Sequence, residues 1–171
     1  IFTDLPISYI GIDQSEELLV LARKQFRDGK FVQGSMLSIP LEEKSVHVIF
    51  CIAALQHIPG LDFQQKALEE MKRVLKPGGK VILSNWNLFG DWGLKQVRVG
   101  KYQDLGSGDF LVPWRDAGGA VLGERYYHGL QVEELESLFT SAGFVVDEQY
   151  YTKKENRSDK ANGENIITIA H

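Results

Sequence analysis

The segment Tyr9-Ile10-Gly11-Ile12-Asp13 limits the possible folds more than any other part of the chain. A mostly apolar run that ends on a carboxylate is typical of a strand buried on both faces of a parallel sheet. Ser15 follows as a candidate helix N-cap, and the two acidic residues after it suit a first helical turn. The pattern therefore places Asp13 at the carboxyl end of a parallel strand, where open α/β sheets bind ligands. There Asp13 either binds the vicinal hydroxyls of a ribose or only helps to cap the helix.

Strands and helices alternate over the first half of the chain. Apolar spacing predicts strands at 7–12, 30–33, 46–53 and 81–83, and helices at 16–26 and 62–75, the second capped by Asp62 and ended by Pro77-Gly78-Gly79. This order predicts a doubly wound α/β sheet. Later, a helix at 132–142 precedes two strands, at 144–151 and 164–170, which a polar loop without a helix joins. We expect these two strands to pair antiparallel.

The stretch from Asn85 to Gly123 interrupts this alternation. It is rich in glycine and aromatic residues and has no clear hydrophobic period. Connections of this length within a compact domain are usually lids or binding loops. We therefore predict a lid or substrate loop at residues 87–123, with a plain connector as the alternative.

Composition excludes several classes of protein. The chain has 171 residues, which suits one domain, and its net charge of −4 argues against a general nucleic-acid binder. The single cysteine, Cys51, excludes an internal disulfide and a thiolate metal cluster, and suits a reducing compartment such as the cytoplasm. The histidines lack metal-ligand spacing, and no apolar run approaches the ~20 residues of a membrane span. We expect a cytoplasmic protein that holds no metal.

Four motifs, in order, resemble those of class I S-adenosylmethionine-dependent methyltransferases. Residues 10–13 resemble the strand whose terminal acid binds the cofactor ribose, and residues 34–40 resemble the loop beside the adenine. Residues 51–58 resemble the segment that passes the sulfonium, and residues 73–80 the helix end before the next strand. The resemblance implies a Rossmann-like sheet with an antiparallel C-terminal hairpin and S-adenosylmethionine as cofactor. It implies these cofactor-binding residues: Asp13, Gln14, Ser35, Met36, Ala53, Ala54 and His57.

The chain departs from this family pattern in two places. The family's Gly-x-Gly-x-Gly loop has no counterpart, and residues 1–6 read as the end of an element. We therefore expect the first strand and helix of the family fold to be missing, either because the sequence is a fragment of a longer protein or because it is a natural truncation. Ser35 stands where the family usually has an acid, and a hydroxyl is a weaker acceptor than a carboxylate.

The second half is similar to one branch of the family, the tRNA wobble-uridine carboxymethyl methyltransferases. The similarity lies in residues 112–114, in Arg125-Tyr126-Tyr127-His128 and in two asparagines at 156 and 165. It implies methyl transfer to a carboxylate on a modified wobble uridine, with tRNA and an activator subunit as partners. The implied substrate-binding residues are Arg125, Tyr126, His128 and Trp114. A carboxylate acceptor is already ionised, so no residue is assigned as a catalytic base.

Other functions and roles stay open. The same fold could methylate a small molecule, or the chain could be a non-catalytic remnant that serves as a scaffold or partner subunit. A basic surface around Arg98, Lys101, Arg115 and Arg125 would favour RNA, whereas an enclosed aromatic pocket would favour a metabolite. Individually, Arg125 could instead form a surface ion pair, His128 could cap the following helix, and one of the two adjacent tyrosines could belong to the core.

Overall fold

The computed structural model describes residues 7–171; the expectation about residues 1–6 lies outside the described residues. The chain begins with a strand–helix–strand unit made of β1 (Ile10–Asp13), α1 (Glu16–Gln25) and β2 (Lys30–Gln33). Strands β1 and β2 pair in parallel, and the Ser15 side chain accepts a hydrogen bond from the Leu18 amide, as predicted. The predicted burial of β1 on both faces is wrong, because its apolar residues are only half-buried beside β2 and α1.

A second unit follows, made of β3 (Val46–Ile52), a 3-10 turn (Leu55–His57), α2 (Leu61–Val74) and β4 (Leu75–Trp86). Strands β3 and β4 pair in parallel. The prediction that Asp62 caps α2 is wrong: Gly60 is the N-cap, and its φ of 84° starts the helix earlier. Phe63, a predicted member of the buried stripe, is exposed, although other members, such as Ala67 and Met71, are buried.

The next segment has regular structure, so the prediction of an aperiodic loop from Asn85 to Gly123 is wrong. It comprises α3 (Asp91–Arg98), β5 (Gln103–Gly106), β6 (Asp109–Arg115) and β7 (Val121–His128). The three strands form an antiparallel sheet, here called the outer sheet, in the order β5-β6-β7. Its glycines mark turns: Gly106 and Gly108 both have positive φ where β5 turns into β6, as does Ser107 between them. Because these glycines interrupt the alternation of apolar and polar residues, sequence analysis did not recognise the strands.

The C-terminal part completes the main sheet. It comprises α4 (Val132–Ser141), β8 (Val146–Lys153), β9 (Asn156–Ser158) and β10 (Asn165–Ala170). The main sheet has the order β3-β4-β10-β8-β9, and β8 pairs antiparallel with β10, as predicted. The predicted polar loop between them contains the short strand β9. The α/β fold with parallel strands and an antiparallel C-terminal hairpin is therefore confirmed.

Two apolar clusters hold these layers together. The larger cluster lies between the main sheet and the pair α2 and α4, and its fully buried members include Leu68, Leu83, Leu135 and Phe139. The smaller cluster joins the base of the outer sheet to the end of β4 and to α3; it is made of Leu88, Phe110, Val112 and Tyr127, with Trp86, Phe89, Val97 and Tyr102 against them. No helix among the described residues is long and apolar enough to span a bilayer.

Candidate cofactor and acceptor site

Asp13 stands at the carboxyl end of β1, as predicted. Its side chain is exposed, and its Oδ1 accepts a hydrogen bond of 2.8 Å from the Ser15 amide. That bond is the helix-capping role. Because the Ser15 amide occupies only one site on Oδ1 and the side chain is exposed, the other carboxylate oxygen can accept from a ligand. The capping and ligand-binding roles of Asp13 are therefore compatible. The adjacent Gln14 is also exposed, and its carbonyl accepts from the Gln33 side chain.

The loop after β2 carries the predicted residues Ser35 and Met36. The Ser35 hydroxyl oxygen accepts a hydrogen bond from the Leu37 amide at 3.1 Å, so it shapes the loop itself. The Met36 sulfur lies 4.0 Å from the sulfur of Cys51 in β3, which places this loop beside the main sheet. Burial raises the pKa of the Cys51 thiol to about 11, so Cys51 is a small apolar core residue rather than a nucleophile.

A latch between Glu70 and Arg73 of α2 holds the end of the same loop. Arg73 donates two hydrogen bonds to the Glu70 carboxylate and one each to the carbonyls of Ile39 and Leu41. Glu70 in turn accepts from the Ile39 amide at 2.8 Å. The hydrogen bonds from Arg73 hold the pKa of Glu70 below its ordinary value, although partial burial opposes this. The latch therefore fixes the loop that carries Ser35 and Met36 against α2.

The chain leaves β3 through a strained turn. Ala53 has a φ of 50°, which is uncommon for a residue with a Cβ, and its amide donates to the Ser84 carbonyl at 2.8 Å. Ala54 then starts the 3-10 turn that ends at His57. The Gln56 side chain accepts from the Trp86 amide at 2.6 Å, which ties this turn to the end of β4. The turn thus places His57 at the carboxyl edge of the sheet.

Alternation along β7 divides the Arg125-Tyr126-Tyr127-His128 string between two faces. Arg125 and Tyr127 share the face that meets the rest of the site. The Arg125 guanidinium lies 4.6 Å from the centre of the Trp114 ring, and the Tyr127 ring stacks on Trp86 at 4.9 Å. The His57 ring lies 4.3 Å from that of Tyr127. Burial raises the pKa of Tyr127, and the neighbouring Arg125 partly offsets this rise.

The side chains of Tyr126 and His128 point to the opposite face. The Tyr126 hydroxyl donates to Asp109 at 2.6 Å, and burial together with this carboxylate raises the pKa of Tyr126 to about 12. The buried His128 ring lies between Asp109 and Glu134. The backbone of Tyr126, unlike its side chain, contacts His57: its carbonyl oxygen lies 3.2 Å from His57 Nδ1.

The structure thus brings together some of the predicted residues and separates others. Arg125, Trp114 and His57 lie around one aromatic group, whereas Tyr126 and His128 engage Asp109 behind β7. Tyr127 and Trp86 complete the group; Trp86 was not predicted, and Tyr127 rather than Tyr126 is the tyrosine that belongs to it. The two-residue period of a strand would have paired Tyr127 with Arg125, had β7 been recognised as a strand. Within residues 7–171, no group of three or more potential ligands is arranged to hold a metal ion.

Parallel strands joined by helices, with an exposed acid at the carboxyl end of the first, are the arrangement of a Rossmann-like α/β fold. The chain matches a family model described as a methyltransferase domain at residues 1–83. It is 30% identical over 137 residues to an inferred methyltransferase of Encephalitozoon cuniculi, covering 80% of this chain and 62% of that protein. A solved S-adenosylmethionine-dependent methyltransferase of Methanosarcina mazei superposes with a TM-score of 0.75 at 26% identity, covering 95% of this chain and 81% of that one. The chain therefore shares the fold of the class I S-adenosylmethionine-dependent methyltransferases and is similar to them in sequence.

Two further similarities bear on substrate and assembly. Human METTL2B, a tRNA N(3)-cytidine methyltransferase, is 38% identical over 106 residues, covering 62% of this chain and 25% of that protein. A structure titled as a complex between the Trm112 methyltransferase activator of Haloferax volcanii and a methyltransferase shares the fold, with a TM-score of 0.63 at 18% identity, covering 95% of this chain and 71% of that one. The chain spans about 62% of the length of the curated relatives from E. cuniculi and Schizosaccharomyces pombe.

The cofactor of this family, S-adenosylmethionine, fits the residues present. The exposed carboxylate of Asp13 can accept hydrogen bonds from ribose hydroxyls. Met36 and Ala53 present small or flexible apolar side chains at the ends of the neighbouring strands, as the nucleoside requires.

Proposed function

We propose that this chain transfers the methyl group of S-adenosylmethionine to a carboxylate on a modified wobble uridine of tRNA. The observation that carries the proposal is the Arg125 guanidinium, stacked on Trp114 and on the same face as Tyr127 and His57. A guanidinium binds a carboxylate or phosphate through two parallel hydrogen bonds, and an exposed tryptophan can stack on a base. This pair therefore suits an acceptor that combines a base with an anionic group.

Methyl transfer to an ionised carboxylate requires mainly that the protein positions the two reactants. When bound, S-adenosylmethionine supplies an electrophilic methyl group on a sulfonium. Asp13, Ser35 and Met36 would hold its nucleoside part, and Arg125 would orient the acceptor carboxylate for in-line attack. The buried ring of Tyr127 and the partly buried ring of Trp86 would exclude water beside that position. No general base is required, because the acceptor oxygen is already ionised.

Two observations support tRNA as the acceptor. Four exposed cations lie on α3 and the outer sheet or beside them, and none forms an ion pair with a residue in 7–171: Arg98, Lys101, Arg115 and Arg125. Such cations can bind the phosphates of a folded RNA. The identity with the human tRNA methyltransferase METTL2B supports the same substrate class. Residues 87–123, which include α3, β5 and β6, would then serve as the substrate lid.

Calorimetry with S-adenosylmethionine tests the cofactor site. Asp13→Asn keeps an oxygen that can accept from the Ser15 amide, so the cap of α1 survives while the carboxylate is lost. Loss of charge-assisted hydrogen bonds should weaken binding about 10- to 100-fold. Asp28→Asn, in the exposed turn after α1, is the matched control and should bind as the wild type does. Equal affinity in all three proteins would refute the role of Asp13.

Methyl transfer to a synthetic anticodon stem-loop tests the acceptor. The RNA carries 5-carboxymethyluridine at the wobble position, and the control RNA carries uridine. We expect base-labile label from tritiated S-adenosylmethionine in the first RNA only. Arg125→Met should lower kcat/KM about 10- to 100-fold. Arg157→Met is the control and should retain activity. It removes a guanidinium in β9 that stacks on Tyr150 of β8.

The alternatives are outcomes of the same assays. Cofactor binding that depends on Asp13, without methylation of either RNA, would favour a small-molecule acceptor on the same fold. No cofactor binding would favour a scaffold or partner subunit. Each assay includes an arm with a Trm112-type activator, because a methyltransferase of the same fold forms a complex with one. Activity in that arm alone would identify an activator subunit as a required partner.

A further inference from the structure

His128 bridges two carboxylates that come from different elements. Its Nδ1 lies 2.7 Å from Asp109 of β6, and its Nε2 lies 3.3 Å from Glu134 of α4. Its side chain is 8% exposed, whereas the two carboxylates are about one-third exposed. The neutral imidazole ring has one N–H and can donate to only one of them, so the bridge is complete only in the protonated ring.

The same carboxylate of Asp109 also accepts from Tyr126. Burial would raise the pKa of Asp109, but the hydrogen bonds from His128 and Tyr126 outweigh it and lower the pKa. The charged or titratable groups that face His128 are therefore Asp109 on β6, Glu134 on α4 and, through Asp109, Tyr126 on β7. On its remaining side the ring meets Gly108, where an added Cβ would lie 3.2 Å from Cε1.

This bridge lies where the outer sheet joins the body. The base of the sheet is buried through Phe110 and Tyr127, but its distal end is not: every residue of β7 from Val121 to Arg125 is exposed. Trp114, the partner of Arg125, is exposed as well. The direction in which the distal end projects is therefore set at its base. The polar attachments there include the His128 bridge to α4 and the contact between His57 and the Tyr126 carbonyl.

We propose that His128 is a positioning residue, whose bridge from Asp109 to Glu134 holds the outer sheet at the angle that presents Arg125 and Trp114 to the acceptor. The imidazole is not a catalytic group, because it is buried on the far face of β7 with both nitrogens occupied. The inference rests on the proposed function for its acceptor, but the bridge itself can be tested without one.

Hydrogen–deuterium exchange of the whole chain tests the bridge. Glu134→Ala removes one end of the bridge, and Glu136→Ala makes the same change at an exposed position of the same helix. We expect the amides of β7 from 121 to 125 to exchange about tenfold faster in Glu134→Ala, because a partly exposed charged hydrogen bond is lost. Glu136→Ala should exchange as the wild type does. Glu134→Gln keeps an acceptor oxygen and should restore most of the protection.

A kinetic readout separates positioning from mere stability. In the RNA assay, Glu134→Ala should raise the acceptor KM about tenfold and change kcat by less than about twofold, with unchanged cofactor affinity. Equal exchange in the two alanine variants would overturn the inference. If the wild type binds no cofactor and methylates neither RNA, the proposed function is wrong. The hydrogen–deuterium exchange experiment still tests the role of the bridge in that case.

Discussion

Replacing Arg73 by methionine should destabilise the protein through the loop that carries the cofactor residues. Methionine keeps the unbranched stem of the side chain but removes four hydrogen bonds, two of them to Glu70 and two to the carbonyls of Ile39 and Leu41. Each carbonyl left without its donor costs about 1 kcal/mol, and the partly exposed ion pair contributes up to about 1 kcal/mol. We therefore expect a loss of about 2–3 kcal/mol in the free energy of unfolding.

Urea unfolding followed by circular dichroism measures this loss. At a typical slope of about 2 kcal/mol per molar urea, the midpoint should fall by about 1–1.5 M. Arg73→Lys keeps the charge but not the planar set of hydrogen-bond donors. Its unfolding midpoint should therefore lie between those of the wild type and Arg73→Met. Arg98→Met, at the exposed end of α3, is the control and should change stability by less than about 0.5 kcal/mol. If Arg73→Met loses no more free energy of unfolding than the control does, the latch does not stabilise the protein.

The effect of Arg73→Met should depend on pH in one direction. The pKa of Glu70 is lowered in the folded protein from its ordinary value of 4.5, chiefly by hydrogen bonds from Arg73. A carboxylate with a lowered folded pKa contributes stability above its unfolded pKa and loses it as pH falls through the folded pKa. The difference between wild type and variant should therefore be full at pH 7 and shrink below about pH 4. A difference that grows on acidification would contradict this account.

Three further predictions concern the core. Phe139→Ala removes a fully buried ring between α4 and the main sheet, and urea unfolding should show a loss of about 3–5 kcal/mol. Gly93→Ala places a Cβ 2.2 Å from the Leu88 carbonyl oxygen, so α3 must shift. The midpoint temperature of thermal unfolding should therefore fall by about 4–8 °C or more. Cys51, whose pKa is raised by burial to about 11, should not react with a thiol reagent at pH 8 until denaturant unfolds the protein.

Sequence analysis performed best where apolar periodicity determines structure. The parallel pair β1 and β2, the helix capped by Ser15 and the antiparallel pair β8 and β10 were all predicted from their patterns. The outer sheet was missed because glycines at its turns and bulges broke the alternation into pieces too short to read. The N-cap of α2 was misplaced because Gly60 supplies a conformation, rather than a hydrogen bond, to start the helix.

The candidate site was only partly predictable for a related reason. Adjacent letters in Arg125-Tyr126-Tyr127-His128 suggested one cluster, but a strand sends neighbouring side chains to opposite faces. Arg125 and Tyr127 therefore meet His57 and Trp114, while Tyr126 and His128 meet Asp109. Partners such as Glu134 lie on other elements and bear no pattern in the sequence.

Three segments of the site are each held by polar bonds in addition to packing. The loop after β2 is held by the Glu70–Arg73 latch, the turn after β3 by the bond from Ala53 to Ser84, and the outer sheet by the His128 bridge. Because a polar bond at a partly exposed position contributes far less than burial of an aromatic ring, these segments can move while the core stays folded. Substitutions in the latch and the bridge should therefore alter ligand affinity well before they abolish folding. A methyltransferase needs such segments, since acceptor and cofactor must enter before water is excluded from the reacting groups.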